Sequence, residues 1–98
     1  MNMIKTLNGT ALTIAVEGRL DSVTAPELEK ELLNSLSGVT DLTIDFSNLE
    51  YISSAGLRAL LAVFKIMRTQ GGMKIVNTNE IVKEVFEVTG FSNFLPIE

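Results

Sequence analysis

Two adjacent hydroxyls at the opening of an apolar helical pattern are the residues of this 98-residue chain best placed to do chemistry. The run is Tyr51-Ile52-Ser53-Ser54-Ala55-Gly56-Leu57. The turn formers Ser47-Asn48-Leu49-Glu50 precede it, and Leu57, Leu60, Leu61 and Phe64 continue it at helical spacing. The first four N–H groups of a helix lack internal partners, and the aligned peptide dipoles place partial positive charge there. An anion is stabilised at such an end. A phosphate carried by one of these serines would add about −1.5 to −2 charges where the helix can accommodate them. The same residue types also serve structure. Serine is a preferred N-cap worth ~1 kcal/mol, and Ala55 and Gly56 let the turn approach a neighbouring strand. Local pattern alone leaves both readings open.

Other chemistries find less support. The chain has no His and no Cys, which removes the commonest general base, the commonest zinc ligand, thiolate metal sites and disulfides. Gly-x-Ser-x-Gly is absent, as is the Gly-x-x-x-x-Gly-Lys-Ser/Thr phosphate loop. Lys65 falls three helical turns beyond Ser54, too far along the axis to activate its hydroxyl. Eight basic and twelve acidic residues give a net charge of −4, and the basic ones are scattered from Lys5 to Lys83. Neither nucleic acid nor an anionic lipid surface is therefore an expected partner. No signal-peptide pattern opens the chain, and no apolar stretch approaches the ~20 residues of a membrane span. The expectation is a cytoplasmic binding domain with no catalytic activity, cofactor or membrane insertion.

Folding of the chain as one domain follows from its hydrophobic fraction of 46% and charged fraction of 20%, far from a disordered composition. Leu12, Ile14 and Val16 alternate with Ala11, Thr13 and Ala15; Leu42, Ile44 and Phe46 alternate with Asp41, Thr43 and Asp45. These are strands, and the polar second face predicts a sheet covered on one side only. An edge strand is predicted over Met3–Leu7 with Asn8-Gly9 as the hairpin turn, another strand over Met73–Val76, and a weak one near Phe94–Ile97. Three helices are predicted, each closed by glycine. The first opens on the capping-box sequence Thr24-Ala25-Pro26-Glu27 and runs to Gly38. The second runs through Met67 to Gly71-Gly72. The third starts at Asn79 or Glu80, carries Val82, Val85 and Phe86, and stops at Gly90. Together these elements make an α/β fold with a mixed sheet of about five strands and helices mainly on one face.

The string Ile52-Ser53-Ser54-Ala55-Gly56-Leu57, after a Leu-Thr-Ile-Asp-Phe strand, resembles the STAS domain family, specifically its bacterial anti-sigma-factor antagonists. Gly18-Arg19-Leu20-Asp21 is similar to the family's Gly-x-Leu-Asp signature. Thr24-Ala25-Pro26-Glu27-Leu28 resembles the start of its first helix, and Gly71-Gly72-Met73 its glycine pair before the fourth strand. The resemblance spans essentially the whole chain and implies a single STAS domain over 1–98. It also implies phosphorylation of the serine two residues before the motif glycine, here Ser54, by a kinase that is itself the anti-sigma factor. Many members have aspartate immediately before that serine where this chain has Ser53, so Ser53 stays open as the acceptor.

The resemblance further implies a partner surface built from Asp21, Ser53, Ser54 and Gly56, with the nearby first helix. The unphosphorylated form would bind the anti-sigma kinase and the phosphorylated form would be released, with a serine phosphatase as an optional third partner. A non-switching role in the same family, as a stressosome scaffold or the soluble subunit of a lipid or anion transport complex, is the alternative. From the residues themselves, Asp21 reads equally as a turn residue or cap, Asp45 as solvated, Tyr51 as partly buried beside the motif, and Met67 and Met73 as core.

Overall fold

Alternating apolar residues make two long strands, and these two form the middle of the sheet. The computed structural model of the protein describes residues 2–98. Its elements are β1 (Asn2–Asn8), β2 (Ala11–Leu20), α1 (Ala25–Ser35), β3 (Asp41–Ile52), α2 (Ser54–Gln70), β4 (Gly72–Val76) and α3 (Glu80–Thr89), followed by a short 3-10 turn over Phe91–Asn93. Among the described residues there is one four-stranded sheet of order β1-β2-β3-β4. β1 runs antiparallel to β2, while β2, β3 and β4 are mutually parallel. The hairpin loop is Gly9-Thr10, with Asn8 paired to Ala11 and Gly9 at φ +64°. The expected fifth strand is corrected. Only Ile97 pairs beside β4, through a single parallel bridge to Ile75.

All buried strand residues lie on the helix face. Leu12, Ile14 and Val16 of β2, Leu42, Ile44 and Phe46 of β3, and Ile75 of β4 meet Leu28 and Leu32 of α1, Leu60 and Val63 of α2, and Phe86 of α3 in one core. On the opposite face Thr13, Ala15, Thr43, Asp45 and Lys74 are exposed or half-buried. A one-residue slip of β2 would carry its three apolar side chains to that open face. Each is worth ~1.5–3 kcal/mol when buried, so the register is strongly fixed.

β3 reaches further than its sequence suggests. Ser47–Glu50 is strand, not turn, and β3 runs to Ile52 with two bulges against β2. Ala15 pairs Asp45 but Glu17 pairs Asn48, and Gly18 pairs Leu49 but Arg19 pairs Tyr51. Each slip inserts one extra β3 residue. The buried spacing accordingly changes from two (Leu42, Ile44, Phe46) to three (Phe46, Leu49, Ile52), keeping every apolar residue on the helix face.

At the other end of the sheet the chain is fastened tightly. The Gln70 side chain donates to the carbonyls of Leu36 at 2.9 Å and Val39 at 2.8 Å, tying the end of α2 to the loop after α1. Gly71 packs so closely that a Cβ there would fall on the Thr40 carbonyl oxygen. β1 is joined to α1 by the Lys5–Glu31 ion pair. Asn79 caps α3 by accepting from Val82 N–H at 2.8 Å, and its amide donates to the Leu49 carbonyl at 2.8 Å, within the bulged part of β3.

Candidate functional site

The parallel arrangement carries the carboxyl ends of β2 and β3 to one rim. There Ser53 N–H donates to the Leu20 carbonyl at 2.8 Å, joining Gly18–Asp21 to the opening of α2. All the site residues expected from sequence, Asp21, Ser53, Ser54 and Gly56, belong to these two joined segments.

The two serines differ in what their surroundings ask of them. Ser53 is the N-cap, extended at φ −97° and ψ 177°, and half-buried. Its side chain accepts from Gly56 N–H at 3.5 Å, a long contact at the weak end of hydrogen bonding. Its carbonyl takes the first helical bond, from Leu57 N–H at 3.0 Å. Ser54 is the first helical residue and is exposed. Its hydroxyl makes no protein hydrogen bond among the described residues, so it is presented to solvent at the positive end of a 17-residue helix.

Gly56 sits beneath this surface. It is buried, and a Cβ there would come within 2.7 Å of Ile52 Cγ1 and 2.9 Å of Leu20 Cγ. Both of those side chains are fully buried. The absence of a side chain at Gly56 is what lets α2 start directly over the ends of β2 and β3, which sets where Ser53 and Ser54 project.

Asp21 organises the adjacent turn. Its carboxylate accepts from Val23 N–H at 2.9 Å and Thr24 N–H at 3.0 Å. These bonds, led by that from Thr24, hold its pKa below the usual carboxylate value, helped by the charge of Arg19. The capping box expected at Thr24–Glu27 is corrected here, because Thr24 makes no side-chain cap bond to α1. Its hydroxyl is turned back instead, donating to the Arg19 carbonyl at 2.6 Å and accepting from Asp21 N–H at 2.9 Å. Asp21 and Thr24 therefore stiffen the loop before α1.

Two features were not anticipated. The Arg19 guanidinium lies over the Tyr51 ring, 4.7 Å from its centroid, so the half-buried tyrosine and an exposed arginine form a platform beside the serines. A shallow groove between the openings of α1 and α2 is lined by Ser22, Pro26, Glu29, Ala55 and Arg58 among others. The spacing of Arg58, one turn after Ser54 on the same helix face, was the available signal. No group of three or more metal-ligating side chains occurs among the described residues. No helix of the described residues is long and apolar enough to cross a membrane.

The chain is similar to known proteins over nearly its whole length. The model of the STAS domain matches residues 2–98. A candidate anti-sigma factor antagonist of Bordetella bronchiseptica, BtrV, is 38% identical over 88 residues, covering 88% of this chain and 76% of that protein. The anti-sigma-B factor antagonist of Bacillus subtilis is 29% identical over 91 residues, covering 92% of this chain and 84% of its own length. Among solved structures, the anti-sigma factor antagonist SpoIIAA has the same fold. In its unphosphorylated form the TM-score is 0.84 at 17% identity, covering 99% of this chain and 88% of that one. In its phosphorylated form the score is 0.75 at 16% identity, covering 99% and 91%.

Proposed function

The chain belongs to the STAS domain family, and from that premise we propose that it is an anti-sigma factor antagonist that switches partners through phosphorylation of Ser54. One observation carries the choice of residue. The Ser53 oxygen is engaged in capping α2, while the neighbouring Ser54 hydroxyl is exposed and unengaged at the helix start. A kinase needs an accessible hydroxyl, and a phosphate there gains from the helix dipole. The names of the relatives support the antagonist role, and SpoIIAA, with the same fold, has been solved in both unphosphorylated and phosphorylated forms.

In this reading the unmodified rim of Asp21, Ser54 and the Arg19–Tyr51 platform docks on a cytoplasmic anti-sigma factor that is also a serine kinase, displacing the sigma factor. Gly56 contributes by placing the helix start. Adding about −1.5 to −2 charges at Ser54 changes the charge balance of a surface that carries Asp21 and Glu29 as well as Arg19 and Arg58, and that must lose water on docking. A tenfold loss of affinity requires only ~1.4 kcal/mol. The fold need not change. In this reading the protein acts as the kinase's substrate and ligand, and a phosphatase that removes the phosphate resets it.

Incubation with ATP and the cognate anti-sigma kinase tests the assignment. The expected result is a mass gain of one phosphoryl group that is lost in Ser54→Ala and kept in Ser53→Ala. Loss in Ser53→Ala alone would transfer the site to Ser53. No gain with any cognate kinase would leave the chain as a non-switching module, either a scaffold or a transporter subunit.

A further inference from the structure

α3 carries two apolar surfaces, and only one of them is used in the core. Val82 and Phe86 are fully buried against the sheet. Ile81, Val85 and Val88 form a second stripe at i, i+4 and i+7, with Ile81 57% and Val88 79% exposed. At roughly 100° per residue, Ile81 and Val88 point some 100° or more away from the direction of Val82 and Phe86. Further round the helix, on the far side of the stripe from the core, lie Glu80, Glu84 and Glu87, themselves at i, i+4 and i+7, with Lys83 beyond. Among the described residues none of these glutamates is in an ion pair. An open apolar groove follows the stripe, lined by Ile81, Glu84, Val85, Val88 and Thr89. It shares no residue with the groove beside Ser54.

We propose that this face of α3 is a second docking surface, separate from the Ser54 rim, whose occupant is an amphipathic helix with a basic flank. Charge complementarity selects the occupant. From Ile81 to Val88 the stripe spans about 10 Å, two helical turns, which suits a helix laid alongside with its own apolar stripe. A row of Lys or Arg on that helix would face Glu80, Glu84 and Glu87. A second copy of this chain fits less well, because antiparallel pairing about a two-fold axis brings both glutamate rows to the same side, where they repel. An anionic membrane surface is repelled by the same row. The surface does not depend on the phosphorylation of Ser54, so the two readings stand or fall separately.

The test uses the intact protein labelled at Ile and Val methyl groups and two synthetic 18-residue helical peptides, one of Leu and Lys in heptad pattern and one of Leu and Glu. The Leu/Lys peptide is expected to shift the methyl resonances of Ile81, Val85 and Val88. Its binding should weaken roughly tenfold in Ile81→Ser/Val88→Ser, an exposed pair whose change leaves the core intact. Charge reversal in Glu84→Lys/Glu87→Lys should abolish the preference for Leu/Lys over Leu/Glu. Shifts confined to other surfaces, or equal binding of the two peptides, would overturn the proposal. So would dimerisation of the free protein that Val88→Lys abolishes, or adsorption to phosphatidylcholine vesicles through the same residues.

Discussion

The two ends of the sheet are built to opposite purposes. At the amino ends of the parallel strands, close contacts lock the backbone: Gly71 lies against the Thr40 carbonyl and Gln70 reaches two carbonyls of the α1–β3 loop. At the carboxyl ends the backbone is held equally well, by Ser53 on Leu20 and by Gly56 over Leu20 and Ile52, yet the side chains above it are left free. Ser54 and Arg58 are exposed there, and the exposed Arg19 lies over the Tyr51 ring. The difference separates residues that hold a surface in place from residues that act on it. Gly56, Ser53 and Asp21 belong largely to the first group, and Ser54 is the residue proposed for the second.

Substitutions at the two ends should therefore differ in kind. The largest effect is expected for Gly71→Ala, whose Cβ collides with backbone that no rotamer change can clear. A loss of roughly 3 kcal/mol or more, read from denaturant unfolding, is the prediction, and wild-type stability would show that the α2–β4 turn yields easily. Gly56→Ala comes next. Its Cβ meets side chains rather than backbone, but Leu20 and Ile52 are fully buried and have little room to move. Better helix propensity returns ~1 kcal/mol against overpacking of ~1–3 kcal/mol, for a net loss of ~0–2 kcal/mol. Partner affinity should fall in Gly56→Ala only as far as α2 is displaced. Loss of affinity without loss of stability would make Gly56 a direct contact.

Smaller still is the effect of Asp21→Asn, which has a pH signature. The folded-state pKa of Asp21 is lowered by the Thr24 and Val23 amides. Its contribution is therefore complete above the ordinary aspartate value of ~3.9 and fades as pH falls through the lower folded value. Wild type should be the more stable at neutral pH, with the gap to Asp21→Asn closing below about pH 4. A gap that stays constant down to acid would mean the carboxylate is not what the two amides recognise.

Much of this was legible in the sequence, and the misses have physical causes. Period-two alternation located β2 and the first half of β3, and glycine marked the ends of α2 and α3, at Gly71 and Gly90; α1, expected to run to Gly38, stops at Ser35 with Leu36 as its C-cap. The second half of β3 was hidden because its bulges change the buried spacing to three, at Phe46, Leu49 and Ile52, while Ser47, Asn48 and Glu50 look like turn formers. The capping box at Thr24 failed for a tertiary reason, since the Arg19 carbonyl competes for its hydroxyl. Asp45, expected to be solvated, is half-buried and accepts from the Asn77 side chain at 3.1 Å and Ser47 N–H at 2.9 Å, which lower its pKa. At the site, residue types placed the helix start and its motif. The division of labour between Ser53 and Ser54 needed the cap geometry, because either serine could have been the N-cap.

Affinity for the anti-sigma kinase, measured by calorimetry for wild type, Ser54→Ala and Ser54→Asp with unfolding midpoints recorded alongside, tests the central claim most directly. The account predicts that Ser54→Ala binds within a few-fold of wild type, that Ser54→Asp binds at least tenfold more weakly (~1.4 kcal/mol), and that all three unfold alike. Equal binding of Ser54→Asp and wild type by an equally stable protein would contradict it.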